Sequence, residues 1–254
     1  MLAALLLAAM VTDSNGPFYT AASIANSAAS VAGLYAPNTL VTIYGQNLGT
    51  ITRAISSVDI RAGMLPTTLS GSGVRVLINQ IPADIYYVSP GQVNLLIPTI
   101  LVAGPATVQL EFDGRAGPPV QIVLGDAAPA FFQQDGTTVL ATHGDYSLVT
   151  ADSPARGGEE IVLYSTGLGA TIPAAIPNQI PVTAASLASM QDFQVLLNGV
   201  AIDPRNIAYA GVVPGYAGLY QVNVILPPDA PANPEIRVAA GQAISPPQRF
   251  LPLQ

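Results

Sequence analysis

A single histidine, His143, must serve any mechanism in this chain that needs an imidazole, and it lies in Thr142-His143-Gly144-Asp145 with an acid two residues on. A histidine and an aspartate at that spacing could orient one another or share a metal ion. The surrounding residues describe a polar turn between two strands, where a histidine is ordinarily solvated, so no role is assigned to it. Serine offers no more. Neither Ser72 nor Ser165 stands in the Gly-x-Ser-x-Gly elbow that exposes a hydrolase nucleophile. Glycoside hydrolysis needs two carboxyl groups facing across a cleft, but the adjacent Glu159 and Glu160 open a strand, where alternation sends them to opposite faces. Asp135, Asp145 and Asp152 fall in successive loops and could converge on calcium, yet no Asp-x-Asp-x-Asp pattern supports that, and each suits a solvated turn. Cysteine is absent, which removes disulfides, thiolate catalysis and Cys-based zinc sites together. Gly45 to Gly49 lacks the Lys-Ser/Thr of a phosphate loop. The reading is therefore non-enzymatic, with no catalytic, cofactor-binding or metal-binding residue assigned.

Recognition chemistry is the better prospect. Tyr86, Tyr87, Tyr209, Tyr216 and Tyr220 combine apolar area with a hydroxyl, as protein- and sugar-binding surfaces do, although core packing is the alternative for at least half of them. The candidate binding loop is Val213, Pro214 and Tyr216, flanked by Tyr209 and Tyr220. All eight basic residues are arginines, set against fifteen acids for a net charge of −7, so the clustered cations that track a phosphate backbone are missing and nucleic acid is excluded as an expected partner.

The elements that carry these residues come from a repeat. Leu40-Val41-Thr42-Ile43-Tyr44-Gly45-Gln46-Asn47-Leu48-Gly49 returns as Ile161-Val162-Leu163-Tyr164-Ser165-Thr166-Gly167-Leu168-Gly169. Val76-Leu77-Ile78-Asn79 returns as Val195-Leu196-Leu197-Asn198, and Gln92-Val93-Asn94 as Gln221-Val222-Asn223. Segments recurring in order about 120 residues apart indicate two copies of one unit. Short apolar runs cut by 23 glycines and 23 prolines are β-protein punctuation, because long helices would not tolerate them. Each copy holds about seven short strands with turn signals between, which predicts an all-β chain of two tandem immunoglobulin-like antiparallel sandwiches, over 17–125 and 126–254. Asn79-Gln80 is expected to turn a hairpin into Ala83 to Val88, and Tyr146 to Thr150 to form a strand. Between the shared Asn and the shared Gln the second copy is ten residues longer, the extra length falling around Gly211 to Gly218. Loops on a rigid scaffold are where function concentrates, which is why the binding loop is placed there.

Tyr87-Val88-Ser89-Pro90-Gly91-Gln92-Val93-Asn94, Ser153-Pro154-Ala155-Arg156-Gly157-Gly158-Glu159, Tyr164-Ser165-Thr166-Gly167-Leu168-Gly169, and Ala208-Tyr209-Ala210-Gly211 followed by Gly218-Leu219-Tyr220-Gln221-Val222-Asn223 resemble the uncharacterised C-terminal domain family abundant in Solibacter and other Acidobacteria. The opening strand with its Gly-x-x-Leu-Gly signature is also similar to IPT/TIG immunoglobulin-like domains. The resemblance implies an exported β-sandwich module, commonly the tail of a larger surface protein, and implies no reaction.

Met1 to Met10, an apolar run followed by Thr12-Asp13-Ser14-Asn15, has the length of a signal-peptide hydrophobic region and falls short of a membrane span. It lacks a positive n-region; it is either the end of a longer signal sequence or a short helix of the mature chain, and residues 1–16 are read as the former. The expectation is an extracellular or cell-surface module, without a transmembrane span in its mature form, that presents the loops of two sandwiches to a protein or glycan. A carbohydrate-binding accessory module of a larger secreted enzyme is the alternative.

Overall fold

The computed structural model describes residues 16–254, so the leader reading falls on residues that lie, but for Gly16, outside the described part. The chain is all-β. Ten strands run through the first half: β1 (Ile24–Asn26), β2 (Leu40–Tyr44), β3 (Arg53–Ala54), β4 (Val74–Ile78), β5 (Ile81–Pro82), β6 (Asp84–Val88), β7 (Gln92–Leu96), β8 (Gly104–Phe112), β9 (Arg115–Ala116) and β10 (Val120–Leu124). Eleven follow: β11 (Ala130–Phe131), β12 (Ala141–Thr142), β13 (Glu160–Thr166), β14 (Thr171–Ile172), β15 (Ala185–Leu187), β16 (Phe193–Leu197), β17 (Val200–Ala201), β18 (Ile207–Val212), β19 (Tyr220–Ile225), β20 (Ile236–Ala240) and β21 (Ala243–Ile244). Among the described residues, helix is confined to three single 3-10 turns, and no helix is long and apolar enough to cross a membrane.

The named strands pair antiparallel in four sheets. In the first half, β1-β2-β7-β6-β3 faces β10-β8-β4-β5. Their inner residues, among them Val41, Ile43, Ile85, Val93 and Leu95 from one sheet and Val74, Val76, Val108 and Leu110 from the other, form one core. In the second half β11-β13-β19-β18-β15-β14 faces β17-β16-β20-β21 over a separate core built on Ile161, Leu163, Val222 and Val224 against Val195, Leu197, Ile236 and Val238. β8 shows why the sequence folds this way: over Ala106 to Phe112 every second residue is buried, the period-two pattern that sets one face of a strand against a core.

The repeated segments do the same structural work in both halves. Asn79 and Asn198 both take a left-handed conformation, φ 49° and 48°, at the turn after β4 and β16. Each also closes a pair of bonds to the neighbouring strand, Asn79 Oδ1 accepting from Thr107 N and Asn198 Oδ1 from Glu235 N. Gln92 Nε2 donates to Asn94 Oδ1 at 2.8 Å, and Gln221 Nε2 to Asn223 Oδ1 at 2.6 Å. Even the irregularity recurs, with a bulge before Tyr87 in β6 and before Tyr209 in β18.

Two local expectations are corrected. The Asn79-Gln80 turn leads only into the two-residue β5, after which the chain crosses so that β6 joins the opposite sheet. Tyr146 to Thr150 is not a strand. Asp145 Oδ1 accepts from both Ser147 N and Ser147 Oγ, and this side-chain turn puts Tyr146 at φ 68°, leaving only a single bridge at Leu148.

Candidate functional site

The halves meet along a face that a free sandwich would expose. Leu40, Leu96 and Asp84 form one row across β2, β7 and β6, on the side away from the core. Leu96 and Asp84 are nevertheless buried, because Leu65, Leu96 and Ala217 pack together with Leu40, Ile55, Tyr86 and Ile180 in a cluster that draws on both halves. The β14–β15 loop, 173–184, crosses onto the first half, with Leu65 N donating to Asn178 O, Ile180 N to Gly63 O, and Asn178 Nδ2 to Asp84 Oδ1 at 2.6 Å. Also across the junction, Leu40 N donates to Thr166 Oγ1, whose hydroxyl donates to Gly218 O.

The ten extra residues of the second copy split unevenly, three between Asn198 and Tyr209 and seven between Tyr209 and Gln221. The seven lengthen the β18–β19 hairpin so that its inner side docks on the first half. Tyr86 Oη donates to the Ala217 carbonyl at 3.0 Å. Gly218 has φ 78°, and a Cβ there would stand 2.5 Å from Leu96 Cδ1, so any other residue would be strained and would push the leucines aside.

This geometry separates the five residues of the candidate binding loop. Tyr216 is 64% exposed and Pro214 is exposed, at a tip that Gly215 N ties to Pro181 O beside the β14–β15 loop. Val213 is half-buried. Tyr209 turns inward, its hydroxyl on the Ala185 and Val212 carbonyls. Tyr220 is corrected outright as a display residue. It is 0% exposed, with its hydroxyl accepting from Asn38 Nδ2 at 3.0 Å and donating to Gly169 O at 2.6 Å, and burial pushes its pKa up to about 12. Tyr86 and Tyr87 are half-buried, so the tyrosines do not form a common exposed platform.

Two cavities flank the segment Thr171 to Ala175 at the junction. The larger, about 560 Å3, is lined by Asn38, Asp126, Ser189, Asp192 and Tyr220 among apolar residues. The smaller, about 160 Å3, is lined by Asp84, Asn178 and Thr99 with Leu96, Ile180 and Val212. Domain junctions and mostly apolar clefts with a few convergent polar groups are where ligands bind. Asp84 is 3% exposed, its carboxyl has Asn178 as its one hydrogen-bond partner among the described residues, and desolvation raises its pKa to about 6 against that favourable bond. Exposed apolar side chains, Ile172, Ile176, Val182 and Tyr216, rim this side of the junction.

His143 finds a partner that the sequence reading did not name. Its Nδ1 lies 2.5 Å from Glu159 Oε1, while Nε2 lies 3.1 Å from Ser153 O and 3.4 Å from Ser153 Oγ. Serine, imidazole and carboxylate stand in the order of a catalytic relay, but Nε2 meets a carbonyl, which it satisfies only by carrying a proton, and so cannot take one from the serine. The Glu159 bond, with lesser help from the carbonyl, raises the histidine's pKa, and His143 lines neither cavity. The pair follows from pairing, since β12 lies against β13 and brings 143 beside the strand that Glu159 precedes. Asp135 and Asp145 cap their own turns, and no group of three His, Cys, Asp or Glu side chains that could hold a metal ion occurs among the described residues.

No protein-family model matches the chain, and no curated protein matches it. Among solved structures it is similar to the surface glycan-binding protein PbSGBP-B from Prevotella bryantii, at 11% identity and TM-score 0.28, over 90% of this chain and 40% of that one. It is similar too to SGBP-B of the mixed-linkage glucan utilization locus of Bacteroides ovatus, in complex with a mixed-linkage heptasaccharide, at 10% identity and TM-score 0.34, over 87% and 43%. A third is the Yersinia pseudotuberculosis adhesin InvE, at 14% identity and TM-score 0.20, over 81% and 51%. The chain thus spans about half or less of each. Similarity at that level is not evidence of a shared ligand.

Proposed function

We propose that this chain is a non-catalytic interaction module of the cell surface: two immunoglobulin-like sandwiches, 17–125 and 126–254, held at a fixed angle so that their junction meets a protein or glycan partner. The observation that carries the reading is the junction itself. Interlocking bonds through Asn38, Asp84, Tyr86, Asn178 and Tyr220 fix the angle, and the same loops that make them leave Ile172, Ile176, Val182 and Tyr216 exposed around two clefts. Recognition is then a matter of a preformed shape. The segments 87–94, 153–159, 164–169 and 208–223 support membership of the Acidobacterial C-terminal domain family, and with it export, and the Gly-x-x-Leu-Gly signature supports kinship with IPT/TIG domains. A carbohydrate-binding accessory module is the second reading, favoured by the amide, hydroxyl and carboxyl groups of Asn38, Ser189, Asp126 and Asp192 along the larger cleft, which suit sugar hydroxyls.

The test is a glycan array and a cell-surface pull-down on the wild type, Tyr216→Ala and Ile176→Asp. Point changes are needed because deleting the hairpin tip would remove Ala217 from the junction cluster. Capture that falls at least tenfold in both variants supports the reading, and capture that neither variant alters refutes it.

A further inference from the structure

The smaller junction cavity is lined by a carboxyl group, Asp84, that faces no cation among the described residues. Asp84 is all but fully buried, and among the described residues its carboxyl has one partner, the neutral amide of Asn178, and no arginine or histidine lines either cavity. Thr99, on the wall of the same cavity, has its Oγ1 buried without a hydrogen-bond partner. The remaining wall is largely apolar, with Leu96, Ile180, Val212 and Ala217. Buried charges are ordinarily paired and buried hydroxyls bonded, so this wall offers two acceptors among largely apolar neighbours.

The chemistry that completes it is narrow. An anion is repelled by Asp84. A hard divalent cation wants six or more oxygens, which a lone carboxylate does not approach. A guanidinium binds best across both oxygens of a carboxylate, but Oδ1 is already held by Asn178 at 2.6 Å. A point donor with several N–H groups needs only the free oxygen and one neighbour. About 160 Å3 amounts to roughly five water volumes, room for a nitrogen and a few methylenes.

We propose that this cavity binds a primary ammonium carried on a short unbranched alkyl stem, the nitrogen donating to Asp84 and Thr99 Oγ1 and the stem lying against Leu96, Ile180 and Val212. A partner protein's lysine side chain and a free alkylamine present this same chemistry. The inference deepens the reading of the junction as the recognition surface and rests on it. Because the carboxylate must be ionised, affinity rises as the pH climbs through about 6 and is flat above. Tyr86 is the other titratable group beside Asp84. Burial, reinforced by the Asp84 charge, pushes its pKa up, so it stays neutral throughout.

Titration of the full chain with butylammonium and with 1-butanol, followed through the methyl resonances of Leu96 and Ala217, decides the matter without a variant. Butylammonium is expected to bind at least tenfold more tightly than butanol at pH 7, with the preference lost in Asp84→Asn and weakened in Thr99→Val. Equal binding of the two by the wild type, or binding of neither, overturns the assignment. Nα-acetyl-lysine methylamide distinguishes the sources: if it binds as butylammonium does, a lysine side chain fits, and if only the free amine binds, the site is for a small molecule. These titrations are independent of partner capture, so the pocket and the junction reading fail separately.

Discussion

Replacing Asp84 by asparagine should stabilise the protein at neutral pH. The carboxyl is buried at the junction and its pKa lies near 6 against an ordinary 3.8, with desolvation the cause. Folding therefore favours the protonated form. Stability from this group is complete below pH 3.8, declines as the pH rises towards 6, and is gone above it. A shift of about two units corresponds to about 3 kcal/mol between the two limits. The amide keeps an oxygen for Asn178 and never ionises, so urea unfolding should show Asp84→Asn equal to the wild type near pH 4 and more stable by up to about 3 kcal/mol at pH 7 to 8. Taking the difference between the two proteins matters, because other carboxylates act in the opposite sense. Arg205 bonds hold Asp203 down to about 2, and the Thr138 and Thr137 bonds hold Asp135 well below the usual range, so their contribution is lost as the pH falls. Those terms cancel in the comparison. A stability difference that stays constant from pH 4 to pH 8 refutes the reasoning, since it would mean that Asp84 titrates alike in the folded and unfolded chains.

Three further measurements probe other contacts. Gly218→Ala should lower stability by about 1–3 kcal/mol in thermal or urea unfolding, since it combines a left-handed φ with a clash against Leu96 and Leu40, whereas Gly215→Ala, with φ 92° but open space, should cost less. Tyr220→Phe removes a buried hydroxyl that joins Asn38 to Gly169 O and should cost about 1–3 kcal/mol; a cost near zero would show that the bond is replaced by solvent. As the single histidine, His143 gives one clean proton resonance, and it should titrate above 6.5 in the wild type and closer to 6.5 in Glu159→Gln. The stabilisation this pair gives is present below 6.5 and lost as the pH rises through the raised value.

The sandwich architecture was legible because its determinants are local. Alternation along β8, left-handed asparagines after β4 and β16, and the Gln–Asn rungs of β7 and β19 are written in neighbouring residues and repeated. The failed strand at 146–150 was also a local matter, where the Asp145 side-chain turn outweighed an alternating pattern. The junction is a different kind of fact. Period-two patterning tells which face of a strand meets its own core, and by that rule Leu40, Asp84 and Leu96 belong to the solvent face. Burial of that face by another unit leaves no periodicity to read. One signal was available: Leu95-Leu96-Ile97 breaks alternation with three apolar residues in a row, which a strand covered on a single face does not need.

The insertion that distinguishes the second copy then takes on two roles that the sequence could not separate. Its inner residues, Ala217 and Gly218, face the first half and set the angle between the units. Its outer residues, Pro214 and Tyr216, are exposed beside the loop that covers Asp84. A change that loosens the inner side must move the outer side and the wall of the ammonium pocket with it, because Gly215 N is bonded to Pro181 O and Asn178 to Asp84 within the same loop. Gly218→Ala should therefore weaken butylammonium binding although Gly218, which lines the cavity, supplies no acceptor side chain to the ligand. The readout is the same methyl titration. A variant that is destabilised yet binds the amine as tightly as the wild type would show that the pocket, although both halves line it, does not depend on the angle between them.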